Sequence, residues 1–347
     1  MKESSFALYR KYRPSSFDEV RNQKHIVDVL EGAIKKNTIP HALLFTGSRG
    51  TGKTTVARIF AAALGTDDID LYEIDAASNR RIDDIRALNE AVHTHPYKSA
   101  YKVYIIDEVH MLTDEAFNAL LKTLEEPPSY VVFILATTEQ DKLPPTITSR
   151  CQLFTFRAPS RSELQETVQS VAKKEKYVLS SESADIIALS ADGSYRDALG
   201  ILQKVMMASS GEVLDADQIA HIVGAPKNVL IRDVLTAFQE KNIAKGMDAL
   251  KEASSLHVDM KFFFRLLLER IRLIMLLRNK VAFAHRMLEQ YSEEDQVLLM
   301  KCAEEKGSSI NSHLLIRMLA VHDYLGHTSV SQLPIELVLL ETAEGIS

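Results

Sequence analysis

GSRGTGKTT, Gly47 to Thr55, matches the pattern GxxxxGK[ST] and lies between an apolar run, Ala42 to Thr46, and a helical pattern. Those flanks make it a strand, a loop and a helix, and so decide the fold class. Gly47, Gly50 and Gly52 let the backbone curl so that successive amide N–H groups face phosphate oxygens at the positive end of the following helix. Lys53 brings a point charge to the outer phosphates, and the Thr54 hydroxyl is a ligand for Mg2+. Ser48, Arg49, Thr51 and Thr55 complete the phosphate-binding set. A glycine-rich turn matching by chance is the competing explanation, and strand before and helix after weigh against it.

Working outward, VYIIDEVH, Val103 to His110, is an apolar strand ending in two acids. Asp107 suits the metal and Glu108 suits a water attacking the terminal phosphate. The bland alternative is a solvated strand end. YVVFILATT places Thr137 and Thr138 at another strand end, on the edge where open parallel sheets bind ligands. By pattern alone Thr138 is equally a cap, and Arg150 and Arg196 are surface arginines.

Short β-rich runs at Ala42 to Thr46, Leu71 to Ile74, Lys102 to Ile106, Val131 to Ala136 and Leu153 to Phe156 alternate with helical patterns. That alternation predicts an α/β unit with a parallel sheet. Eight of the ten prolines precede residue 160, and beyond it strand signals vanish. Ser160 with Glu163 forms a capping box, Gly193 and Ser194 punctuate two helices, and Gly224 with Pro226 breaks the chain. Three domains follow: 1–159 nucleotide-binding, 160–223 a small helical bundle and 224–347 all-helical. KFFFRLLLERIRLIMLLRNK, from Lys261, fits a packed bundle helix or a basic membrane-surface helix.

Composition closes off several classes. Of 347 residues 46% are hydrophobic and 25% charged, which is globular. The apolar run Tyr130 to Thr138 is about half of the roughly 20 residues a spanning helix needs, so no membrane role is expected. No signal-like stretch opens the chain, which predicts a cytoplasmic protein. Two cysteines, Cys151 and Cys302, are too few for a thiolate zinc site, so no structural zinc is expected. The net charge of -6 leaves room for a local basic stripe on nucleic acid.

The ordered set YRKYRP (Tyr9 to Pro14), GSRGTGKTT, IDAAS (Ile74 to Ser78), IDEVHML (Ile106 to Leu112), NALLKTLEEPP (Asn118 to Pro128), LATT, SRC (Ser149 to Cys151) and GSYRDAL (Gly193 to Leu199) resembles bacterial DNA polymerase III gamma/tau, the clamp-loader ATPases. The resemblance runs from about residue 6 to 223, and the helical remainder is similar to the family's collar. It implies an AAA+ P-loop NTPase module with a five-stranded parallel sheet, a helical lid and an all-α oligomerising collar. It also implies ATP and Mg2+ bound by Lys53, Thr54 and Asp107, with Asp107 and Glu108 as the Walker B pair and Glu108 as its catalytic carboxylate. Thr138 takes the sensor 1 place, Arg196 the sensor 2 place, and Arg150 that of a finger acting in trans on a neighbour's ATP. Arg13, Pro14 and Val20 line the adenine pocket, and Arg81, Arg86 and Lys122 meet the DNA backbone. For Arg81, Arg86 and Lys122 a solvated helix face is the rival explanation.

The implied partners are delta, delta prime, copies of the chain itself, the sliding clamp and primer-template DNA. Relatives carry a four-cysteine zinc module where LGTDDIDLY, Leu64 to Tyr72, stands here. The chain stops just past the collar, like the shorter gamma form. The function implied is loading the clamp during DNA replication. Two rivals are a stator resembling delta prime, which has no need of Lys53, Thr54 and Glu108, and a different AAA+ machine such as a branch-migration motor.

Overall fold

In the computed structural model the described residues are 7–79, 82–209, 211–214, 216–289, 291–305 and 307–344. They form two compact units, Met1–Ala216 and Asp217–Ser347. The break falls in the helix Ala216–Val223, upstream of Gly224.

The first unit is built on five parallel strands, β1 Ala42–Thr46, β2 Leu71–Asp75, β3 Lys102–Asp107, β4 Val131–Thr137 and β5 Gln152–Thr155, in the order β2-β3-β4-β1-β5. Residue type explains the order. ALLFT and VVFILAT are apolar up to their terminal threonines, and both strands are buried along their whole length within the sheet. LYEID and QLFT mix polar and apolar residues and form the edges. One face is covered by the helices Lys24–Lys35 and Lys53–Ala63, which press Ile26, Leu30, Val56 and Phe60 onto Leu43, Phe45 and Ile134. The other is covered by Ile82–Val92 and Asp114–Glu125, whose Ile85, Leu88, Phe117 and Leu120 meet Leu44, Tyr104 and Phe133. Covered on both faces, the sheet offers ligands only its carboxyl edge, where Thr46 pairs with Thr137 and Asp75 with Asp107.

Where the resemblance places a zinc module, the chain turns directly into β2. Asp70 is 1% exposed and its carboxylate accepts the backbone N–H groups of Tyr97, Lys98 and Ser99 at 2.6, 2.8 and 2.8 Å. Burial pushes this carboxyl up, but the three amides outweigh it and hold the pKa at about 2. A carboxylate clamp thus joins two loops. Among the described residues no group of three or more His, Cys, Asp or Glu is arranged to hold a metal.

Beyond the sheet the helices Arg161–Lys174, Ser181–Ser190 and Tyr195–Ala208 pack together. Ser160 and Glu163 make both bonds of a capping box. Contrary to the purely helical expectation, Val178–Leu179 and Val213–Leu214 pair as two short parallel strands. Two residues are too few to show a period, which is why the sequence pattern hides them.

The second unit is helical among its described residues. Its longest helix, Met260–Arg278, buries Phe263, Leu267, Ile271 and Ile274 against neighbouring helices. That is the bundle reading of KFFFRLLLERIRLIMLLRNK. No helix among the described residues is long and apolar enough to cross a membrane.

Candidate active site

The loop between β1 and the helix Lys53–Ala63 is shaped by its glycines. Gly47, Gly50 and Gly52 have φ of 143°, 74° and 102°, in the region that favours glycine. A Cβ on Gly50 would lie 2.0 Å from Ser194 Oγ, and one on Gly47 would lie 2.6 Å from the Phe156 carbonyl oxygen. The backbone must therefore pass bare under both neighbours. Lys53 is buried, and its ammonium donates to the carbonyls of Gly47 and Ser48 at 2.8 and 2.9 Å. Burial lowers its pKa, opposed by the carboxylates of Glu108 and Asp107.

Thr54 Oγ1 donates to Asp107 Oδ2 at 2.8 Å, although β4 separates their strands in the sheet. Both reach the same point from the carboxyl edge. Glu108 stands at φ 49°, in the left-handed region, which turns its side chain away from Asp107 while its N–H still donates to Asp107 Oδ1 at 3.0 Å. Its Oε2 accepts from the N–H and the hydroxyl of Thr138 at 3.3 and 3.0 Å. Four side chains from three elements thus form one chain of contacts, Thr54 to Asp107 and Glu108 to Thr138.

A cavity of about 760 Å³ opens beside them, within the size range of nucleotide-sized ligands. Arg49, Gly50, Thr51, Gly52, Lys53, Thr54 and Thr55 line it, as do Asp107 and Glu108. Gly47 and Ser48 do not, and serve through the carbonyls that hold Lys53. Arg13, Pro14 and Val20 line it as well, and Arg196 lines it from the helix Tyr195–Ala208. The guanidinium of Arg196 sits 4.9 Å from the centre of the Tyr9 ring, a cation–π contact. Arg10 and Arg196 together hold the Tyr9 hydroxyl below its ordinary pKa. Burial, then Arg58, press the Arg13 guanidinium below its usual value, with Glu73 opposing.

Other residues lie elsewhere. Arg150 is outside the cavity, paired with Glu125 and donating to the Thr146 carbonyl at 2.8 Å. Arg86 is exposed and 3.3 Å from Asp83, and Lys122 is exposed on the helix Asp114–Glu125. Arg81 lies outside the described residues.

Sequence reasoning missed three contributors. Tyr195 donates its N–H to the Gly50 carbonyl at 3.1 Å, which ties the second helical layer directly to the phosphate loop. Tyr9 receives Arg196. His110, inside the quoted motif IDEVHML, packs beside Glu108. All three lie inside quoted motifs, YRKYRP, GSYRDAL and IDEVHML, but the contacts of Tyr9 and Tyr195 join segments about 145 to 190 residues apart in sequence, which no local pattern reports.

A model of the family described as DNA polymerase III, delta subunit, matches residues 65–160. The gamma subunit of DNA polymerase III from Buchnera aphidicola subsp. Acyrthosiphon pisum is 33% identical over 318 residues, covering 86% of this chain and 87% of that one. The chain belongs to the gamma/tau family of DNA polymerase III subunits. Within that family, the tau subunit of Bacillus subtilis is 40% identical over 287 residues, 75% of this chain and 51% of its own length. The chain thus spans about half the length of such tau relatives. Among solved structures, Thermotoga maritima RuvB, a Holliday junction branch migration motor, superposes with TM-score 0.52 at 20% identity over 66% of this chain and 80% of its own. That likeness shows the fold, an AAA+ P-loop module followed by helices.

Proposed function

We propose that the chain is an ATPase subunit of a bacterial replicative clamp loader, which uses ATP binding and hydrolysis to open the sliding clamp and load it on primer-template DNA. The observation that carries this reading is the convergence of Lys53, Thr54, Asp107 and Glu108 on a single cavity, with Thr138 hydrogen-bonded to Glu108 behind it. The relatives' names make the chain a DNA polymerase III subunit, and the clamp-loader role is what the sequence resemblance implies. We divide the chain accordingly into an AAA+ domain 1–159, a lid 160–223 and a collar 224–347 that joins it to copies of itself, delta and delta prime.

The site fits Mg2+ and a triphosphate. Its donors are hard oxygens, the Thr54 hydroxyl and the Asp107 carboxylate, and the bare-backbone loop with a buried ammonium suits phosphate oxygens. Bound there, Mg2+ would neutralise charge on the phosphate oxygens. Lys53 leaves the loop carbonyls for the outer phosphates. Arg13, Pro14 and Val20 border the adenine, and Arg196 swings from Tyr9 to the phosphates as the lid moves. Glu108, held by Thr138, takes a proton from water as the water oxygen bonds the terminal phosphorus and the bridging oxygen leaves with ADP. Arg150 acts on a neighbour's ATP, since its own cavity lies beyond its reach in this arrangement. Arg81, Arg86 and Lys122 contact the DNA backbone without reading sequence.

The test is ATP turnover measured while clamp, primed DNA and the partner subunits are added one at a time. The expected outcome is a rate that rises only when clamp and primed DNA are both present. A rate indifferent to both would sink the clamp-loader reading while leaving an ATPase.

A further inference from the structure

Arg196 is the second residue of the helix Tyr195–Ala208, and that helix begins against the phosphate loop. Ser194 caps it. Its Oγ accepts the Asp197 N–H at 3.1 Å, and the residue is 3% exposed. The same Oγ lies over Gly50, where an added Cβ would come within 2.0 Å of it. The next amide, the Tyr195 N–H, belongs to the first turn and has no acceptor inside the helix. It donates instead to the Gly50 carbonyl at 3.1 Å. The phosphate-loop pattern fixes glycine at 47 and 52 and leaves 50 open. What asks for glycine at 50 is its φ of 74° together with the closeness of Ser194.

We propose that this contact is a pivot, in which the main chain of Tyr195, fastened to Gly50, positions Arg196 against the phosphate loop. The inference rests on reading Arg196 as a group that meets the nucleotide's phosphates. Arg196 follows the fastened residue directly, with Cα atoms about 3.8 Å apart. The place of its backbone is therefore set by the loop that cradles the phosphates and not by the far turns of the helix. Its guanidinium is held meanwhile by the Tyr9 ring, and the same helix accepts the Leu8 N–H on Gln203 Oε1 at 2.9 Å. With the start of the helix fixed, a rotation of the lid about it moves the distant turns most and the Arg196 backbone least. Exchange of Tyr9 for a phosphate is then a change of side-chain direction about a fixed base. A group presented from a fixed base needs less ordering to reach its working geometry, so loss of the pivot is felt in the rate.

Proline at 195 removes the amide and spares the helix. It is favoured at the first helical position, and Ser194, at φ −121° and ψ 116°, already has the extended backbone that precedes a proline. Tyr195→Ala is the comparison, since it loses the same ring and keeps the N–H. Both changes are made in the full chain, with and without Arg196→Ala. Single-turnover hydrolysis is followed in the complex that gives the stimulated rate, with helix content measured by circular dichroism on the same samples. Tyr195→Pro should hydrolyse about tenfold more slowly than Tyr195→Ala at equal helix content, within the roughly 10² that a misplacement of about 1 Å costs. On Arg196→Ala the two should differ by less than about twofold, because the bond acts through the residue already removed. Equal rates for proline and alanine, or the same fold difference with and without Arg196, would overturn the proposal. A second measurement needs no activity. Amide hydrogen exchange of the wild-type chain should show the Tyr195 N–H protected like the interior of its helix, both with and without ATP. Free exchange at that amide in either state would also overturn the pivot. Full turnover by Arg196→Ala alone would instead overturn the reading of Arg196 on which it rests, a separate failure.

Discussion

Both units bury charge, and they do so to different ends. In the first, Lys53, Asp107 and Glu108 converge on a cavity, and each retains a neighbour that a phosphate or metal is able to replace. In the second, Arg270 and Asp295, 3% and 2% exposed, turn inward on each other at 3.2 Å. Arg270 also donates to Asn228 Oδ1 at 2.9 Å, and Arg278 donates to the carbonyls of Cys302 and Ile310 at 2.8 and 2.6 Å. A charge whose partners are exchangeable is available for chemistry; one whose partners are built in holds helices together. The contrast separates a working site from a scaffold without reference to any name.

Arg150 is the residue on which that contrast is most easily broken, because it lies in the first unit yet points away from the cavity, onto Glu125. If it serves a neighbouring copy, Arg150→Ala should leave ATP binding intact and lower stimulated hydrolysis by about 10³ to 10⁵, the range for an arginine acting in trans. Turnover and nucleotide binding measured on the same preparation decide it. Ordinary turnover would make Arg150 a structural cation like those of the helical unit.

The next effect belongs to the scaffold. Arg270→Leu takes the buried cation from the Asp295 carboxylate, whose Oδ1 lacks a hydrogen-bond partner and keeps only the longer ion pair with Arg232 at 3.5 Å. Breaking such a buried pair costs about 3–5 kcal/mol, whereas replacing both partners by apolar residues of similar size is often neutral. Denaturant unfolding of the full chain should show the single variant strongly destabilised and Arg270→Met with Asp295→Leu close to wild type. Nucleotide affinity should not change in either. A double variant as unstable as the single would mean that the pair has a role other than mutual neutralisation.

How much of this was legible in advance follows the same division. The strands, the glycine loop and the acids of IDEVHML are local patterns, and the structure places them within a residue of the pattern because the central parallel strands are buried and largely apolar. Tyr9, Ser194 and Tyr195 stand in segments the sequence pattern marks, but their contacts with Arg196 and Gly50 join distant segments and left no periodic trace. In the helical unit the periodicity shows that Met260–Arg278 is a packed helix, but not that Arg270 meets Asp295, since helix pairing depends on tertiary register.

Asp70 sharpens the comparison with the smallest expected effect, since it is a buried charge of the first unit that plays no part in the cavity. Its three amide donors lie in the loop 97–99, at the end of the sheet opposite the phosphate loop. Asp70→Asn keeps an acceptor but loses the charge and leaves at least one amide facing an NH2 group. A cost of about 1–3 kcal/mol follows, with nucleotide binding unchanged. The pH dependence has a definite sign. The folded pKa of about 2 lies below the ordinary 3.8, so the carboxylate's contribution is complete above about pH 4 and is lost as pH falls through about 2. The variant and wild type should therefore converge in stability on acidification across that window. If they stay equally far apart from pH 6 down to pH 2, the three amides do not hold the ionised form, and the clamp between the two loops rests on packing alone.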